Sequence, residues 1–94
     1  MGAVFNDHKI VAKNLADAVR AAEAYQQARQ YEQGHGPYTG HLGTNGIGVQ
    51  YTTRRYETYE EACKEIQEMH DKWSRPILAR INDGTWILAG WCSS

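Results

Sequence analysis

Two stretches of this chain repeat apolar residues at helical spacing. In the first, Leu15, Ala18, Val19, Ala22, Tyr25 and Ala28 fall on one face. Asn14 is suited to the N-cap, Asp17 three residues later favours the helix dipole, and Gly34 is placed to stop the helix. The pattern predicts a helix from Leu15 to about Glu32, with a thin, alanine-rich face that another element can approach closely. In the second stretch, Thr58-Tyr59-Glu60-Glu61 reads as a capping box, and Tyr59, Ala62, Cys63, Ile66, Met69 and Trp73 form an apolar stripe. This helix is expected to run to about Lys72, before Ser74-Arg75-Pro76 breaks it.

Elsewhere the period is two. Ile47, Val49 and Tyr51 alternate with Gly48, Gln50 and Thr52, which predicts a half-buried strand. Ile77–Ile81 and Thr85–Ala89 flank Asn82-Asp83-Gly84, and Asp83-Gly84 is a type I′ hairpin signal. That turn would set Ile81 against Trp86, Arg80 against Ile87 and Ala79 against Leu88. Val4 to Ala12 is ambiguous between a short strand and a lead-in to the first helix. The element order is therefore α, loop, β, α, β, β. The fold class is α+β: one domain over residues 1–94, with a small, mainly antiparallel sheet of three or four strands packed with two helices.

Charge narrows the function classes. Ten Lys and Arg against eleven Asp and Glu give a formal net charge of −1, with no polybasic run. DNA or RNA backbone binding is not expected from such a balance. No apolar stretch approaches the ~18 residues that argue a membrane span, and Met1 to His8 lacks the apolar core of a signal peptide. Cys63 and Cys92 make no metal or disulfide pattern, which points to a reducing, cytoplasmic setting. A core this small is marginal alone, so a homo-oligomer is expected.

The candidate chemistry lies between the helices. From Gln33 to Thr53 there is no Asp, Glu, Lys or Arg, and the segment holds six of the nine glycines. Such a loop is costly to order and is usually functional or disordered. Tyr38, Leu42, Ile47, His35 and His41 are interleaved with the glycines, unlike a Gly/Ser linker. Gly40 and its neighbours could turn backbone N–H groups toward an anion. Tyr38 could stack on a base or sugar, and Thr39 and Thr44 could donate hydrogen bonds. The spacing matches neither a P-loop nor a dinucleotide fingerprint. Of the adjacent Arg54 and Arg55 only one can face the loop. Arg80, in mid-strand, needs an acid or an anionic ligand.

Trp91, near a strand end beside Gly90, could wall a pocket, whereas Trp73 and Trp86 read as core and His8 and His70 as surface. His35 and His41 have no zinc spacing, so no metal is expected, and no cofactor. Cys92 lacks an adjacent base and reads as a packing residue. The site expected is thus His35, Tyr38, Thr39, Gly40, His41, Thr44, Arg54, Arg80 and Trp91, with no catalytic residue.

The runs Tyr31-Glu32-Gln33-Gly34-His35-Gly36-Pro37-Tyr38-Thr39-Gly40, Asp71-Lys72-Trp73 and Gly90-Trp91-Cys92-Ser93-Ser94 resemble a family of small bacterial and phage proteins. That family shares a GHxxYTG loop, a DKW helix end and a GWCSS-like tail. The resemblance spans roughly residues 25–94 and implies a provenance. Phage proteins of this size often counter host defences, some by sequestering nucleotide signals. The expected function is therefore a non-catalytic module that captures a small anionic ligand of the nucleotide class, with its pocket at a subunit interface. The alternatives are a protein-binding inhibitor acting through the acidic second helix (Glu57, Glu60, Glu61, Glu65, Glu68 and Asp71), and a small enzyme built on Cys92 or a loop histidine.

Overall fold

The computed structural model describes residues 2–34, 36, 38–71 and 73–94. Among these the chain forms four strands and two helices: β1 (Ala3–Val11), α1 (Leu15–Gln33), β2 (Gln50–Tyr56), α2 (Tyr59–Met69), β3 (Ile77–Ile81) and β4 (Thr85–Ser93). The class is α+β with a mostly antiparallel sheet. The order gains a first strand that the apolar pattern left undecided.

The sheet order is β1-β4-β3-β2. β1 and β3 flank β4 antiparallel, and β2 joins β3 parallel through the α2 crossover. Alternation along the strands sends side chains to two faces, and a helix lies on each. Leu78, Trp86, Leu88 and Cys92 join Ile10, Leu42 and the α1 residues Ala18 and Ala22 in one core. Ile77, Ala79, Ile81, Ile87 and Ala89 join Tyr56 and the α2 residues Ala62 and Ile66 in the other. β1 is hard to read because its α1 side carries Val4, Asn6, His8 and Ile10 and its α2 side Phe5, Asp7, Lys9 and Val11. Neither face is uniformly apolar.

The helix caps follow the sequence. Asn14 Oδ1 accepts from the Asp17 N–H at 2.9 Å, and Gly34 stops α1 at φ 95° with its N–H on the Gln30 carbonyl. Thr58 Oγ1 accepts from the Glu61 N–H at 3.1 Å. Other expectations are corrected. β2 begins at Gln50, so Ile47 and Val49 belong to the loop, and Tyr51 is exposed. α2 ends at Met69, capped by His70, so Met69 and Trp73 are solvent-facing (Trp73 is 59% exposed). Lys72, where that helix was expected to end, lies outside the described residues. The hairpin register is Arg80 to Trp86 and Ala79 to Ile87, one residue from the expected pairing. Only Gly84 in this turn has a positive φ, 89°, and its N–H reaches the Ile81 carbonyl. A type I′ turn needs two such residues, so the chain closes a three-residue loop instead.

Candidate functional site

The glycine-rich loop is held by polar side chains of α1. Gln26 is fully buried. Its Nε2 donates to the carbonyls of Leu42 (3.1 Å) and Gly48 (2.8 Å), and its Oε1 accepts from the Gly48 N–H at 2.8 Å. One turn on, Gln30 Nε2 donates to the Gly43 carbonyl at 2.8 Å. A Cβ on Gly43 would lie 2.8 Å from the Gln26 carbonyl oxygen, so glycine there is what lets the loop touch the helix. His41, also buried, closes the arrangement. Its Nδ1 accepts from the Gly43 N–H at 3.0 Å, which leaves Nε2 to donate to the Gly34 carbonyl at 2.9 Å. Both ring nitrogens are committed to backbone, and neither is free for a ligand.

The other expected loop residues are also engaged. The Thr39 and Thr44 hydroxyls lie 3.0 Å apart, and Thr44 Oγ1 accepts from the His41 N–H at 2.9 Å. Gly40 docks the loop on the sheet, its N–H on the Ser93 carbonyl (2.8 Å) and its carbonyl on Asn6 Nδ2 (3.0 Å). Tyr38 is half exposed, edge-on to Trp73 at 6.3 Å. His35 lies outside the described residues. No cavity or deep cleft occurs among the described residues.

The remaining members lie apart from the loop and from one another. Trp91 is on the α2 side, with Nε1 donating to the Gln67 carbonyl at 2.8 Å and its ring edge-on to Phe5. His70, read as a surface residue, is buried at the end of β3. There Nδ1 accepts from the Trp91 N–H at 2.9 Å and Nε2 donates to the Arg75 carbonyl at 2.8 Å. The ring thus occupies the place of a missing strand beside Gly90, where any Cβ would meet it at 2.7 Å.

Arg54 also faces α2, paired with Glu65 at 2.8 Å and lying over the Tyr56 ring. Arg55 is the one that turns the other way. It is the register partner of Arg80, so the two side chains leave neighbouring strands, about 4.8 Å apart, on the α1 side of the sheet. A bulge between Tyr51 and Arg55 sets four residues of β2 against two of β3, with Tyr51 beside Leu78. Tyr51 and Arg55 are thereby drawn onto one face, separated along β3 by only about 7 Å. Tyr51 is 46% exposed, its ring 6.5 Å from Trp86, and the Arg80 guanidinium lies over Trp86 at 5.3 Å. Neither Arg55 nor Arg80 has an acidic partner among the described residues.

Gln26, Gln30, Tyr51 and His70 are the residues that sequence reasoning passed over, and Arg55, weighed beside Arg54 as the alternative, is the one that shares a face with Arg80. A signal existed for two of them, since Gln26 and Gln30 continue the Ala18–Ala22 face at intervals of four. Burial pushes the Cys92 thiol above its ordinary value, and its Sγ–H reaches the Gly90 carbonyl. Both conditions oppose a thiolate nucleophile. Among the described residues no three His, Cys, Asp or Glu side chains converge as metal ligands, and no helix is long and apolar enough to cross a membrane. No family model, curated protein or solved structure matches the chain at a significant level.

Proposed function

We propose that this protein is a non-catalytic binding module for a small anionic, ring-bearing ligand of the nucleotide class, held on the open α1 side of the β2–β3 edge. The observation that carries this reading is the Arg55–Arg80 pair. Two like charges directly opposite each other on neighbouring strands are destabilising, and no acid among the described residues offsets them. A phosphate between the two guanidinium groups relieves that repulsion with charge-assisted hydrogen bonds. Tyr51 beside them offers a half-exposed ring for a base. The site is an open face, so the ligand lies across the sheet. Sequestration of a nucleotide signal is the biological role that fits such a module and the phage-like resemblance. Two free thiols suit the reducing cytoplasm in which such signals occur.

The test is calorimetric titration of the protein with mono-, di- and cyclic nucleotides. Arg55→Ala and Arg80→Ala should each weaken binding by about tenfold or more. Arg54→Ala, on the opposite face, should leave affinity unchanged. Absence of binding to the wild-type chain at millimolar nucleotide overturns the reading. So does equal weakening by Arg54→Ala.

A further inference from the structure

The two edges of the sheet are built differently. β2 is interrupted by its bulge and carries Arg54 and Arg55, features that guard an edge against pairing. β1 runs nine residues in unbroken register along β4. Gly2 and Ser94 exchange both of their N–H and C=O groups, which marks every even residue of β1 as the one bonded to β4. The backbone groups of Ala3, Phe5, Asp7, Lys9 and Val11 therefore point outward, and no partner for them occurs among the described residues. Val11 is 82% exposed.

We infer that the occupant of this edge is β1 of a second copy, paired antiparallel about a two-fold axis. Such pairing joins odd residues to odd, and charge chooses among the central registers. One sets Asp7 against the partner's Asp7, and another sets Lys9 against the partner's Lys9. The register between them sets Asp7 against the partner's Lys9 and Lys9 against the partner's Asp7, two complementary pairs from one symmetry operation. The same register places Phe5, partly buried against the α2-side core, opposite the partner's exposed Val11, so the ring covers that side chain. On the α1 side the axis passes between the two His8 rings, each stacked on its own Tyr25. Lys9 makes no hydrogen bond or ion pair within the chain among the described residues; its charge bears on Asp83 through space, and Asp7 meets the partner's Lys9 with a carboxylate whose Oδ2 already accepts from Tyr59. The result is one continuous eight-stranded sheet with both Arg55–Arg80 faces left open at its ends.

Charge reversal tests the register by sedimentation equilibrium. The wild-type chain should be a dimer at micromolar concentration. Asp7→Lys and Lys9→Asp should each weaken the dimer by about tenfold or more. An equimolar mixture of the two variants should recover it, because one copy then presents two lysines and the other two aspartates. Hydrogen exchange on the wild type supplies a readout free of any folding defect. The amides of Phe5, Asp7, Lys9 and Val11 should slow as protein concentration rises, while those of Asn6, His8 and Ile10 are protected throughout. A monomer at all concentrations overturns the inference, as do a dimer indifferent to both reversals and outward amides whose exchange ignores concentration.

Discussion

The α2 layer and the α1 layer cover the same sheet by different means. Under α2 the contact is apolar: Ala62 and Ile66 rest on Ile77, Ala79, Ile81, Ile87 and Ala89, sealed by Tyr56. Under α1 the helix offers little more than Ala18 and Ala22. The space is filled by a loop, whose backbone is tied to the helix by Gln26, Gln30 and His41. An apolar contact is non-directional and tolerates exchange of shape. A buried amide serving three backbone groups tolerates none, because each group left unpaired loses its water and its partner together.

The sharpest separation of the two layers is a matched pair of substitutions that keep volume. Gln26→Leu strands the Leu42 carbonyl and both backbone groups of Gly48, and should destabilise the fold by on the order of 3 kcal/mol or more. Ile66→Leu keeps an apolar side chain of equal size and should cost less than about 1.5 kcal/mol. Urea unfolding of the two variants measures both. Equal losses would mean that the loop is held by packing around Leu42 and not by the amide.

That difference also explains what was legible beforehand. α2 announces itself through Thr58, Glu61 and a stripe at Tyr59, Ala62, Cys63 and Ile66, because an apolar face leaves a period in the sequence. α1 is legible to its caps, Asn14 and Gly34, for the same kind of reason. What fills the face of α1 is a set of glutamine–backbone hydrogen bonds across thirteen to twenty-two residues, whose loop partners leave no period. The candidate site suffers more. His41 is polar, loop-borne and aimed inward, and sequence cannot tell a staple from a ligand group. Arg54 and Arg55 alternate faces by rule, but which of them joins Arg80 depends on the bulge in β2, a local change of count that no residue in that strand signals. β1 was obscured because an edge strand with Asp7, Lys9 and His8 on its faces has no apolar alternation to read.

Alkali should act first on the α2 layer. Tyr56 and Tyr59 both donate their hydroxyls to carboxylates, Tyr56 to Glu65 and Tyr59 to Asp7 at 2.6 Å. Burial, then the hydrogen bond to Glu65, pushes Tyr56 up to about 12, and the same kind of causes push Tyr59 up as well. In the unfolded chain these phenols lose their protons near pH ~10, while the folded chain keeps them. Their contribution is therefore complete below about pH 10 and declines as pH climbs toward the folded values. Unfolding midpoints at about pH 8 and about pH 11 should fall more steeply for the wild type than for Tyr56→Phe/Tyr59→Phe. Parallel slopes would remove these two groups from the account.

Acid should act, more weakly, on the α1 layer. The His8 ring lies flat on Tyr25, 3.8 Å between centroids, and the Arg29 guanidinium stands over the other aromatic partner, 5.6 Å from the Tyr25 centroid. Burial first and the Arg29 charge second hold the His8 imidazole below its ordinary value, with Asp7 opposing them. The folded chain thus resists a proton that the unfolded chain accepts near pH ~6.5. The stabilisation is fully present above that pH and is lost as pH falls through it toward the lower folded value. Half-exposed groups of this kind have small effects, so the comparison must be made at one fixed protein concentration, where association cannot shift the midpoint. Between about pH 7.5 and about pH 5.5 the wild type should lose more of its thermal midpoint than His8→Gln, which keeps a polar side chain and cannot titrate. A His8→Gln chain with the wild-type acid slope would place the sensitivity elsewhere and remove the His8–Tyr25 stack from the comparison with the two tyrosines of α2.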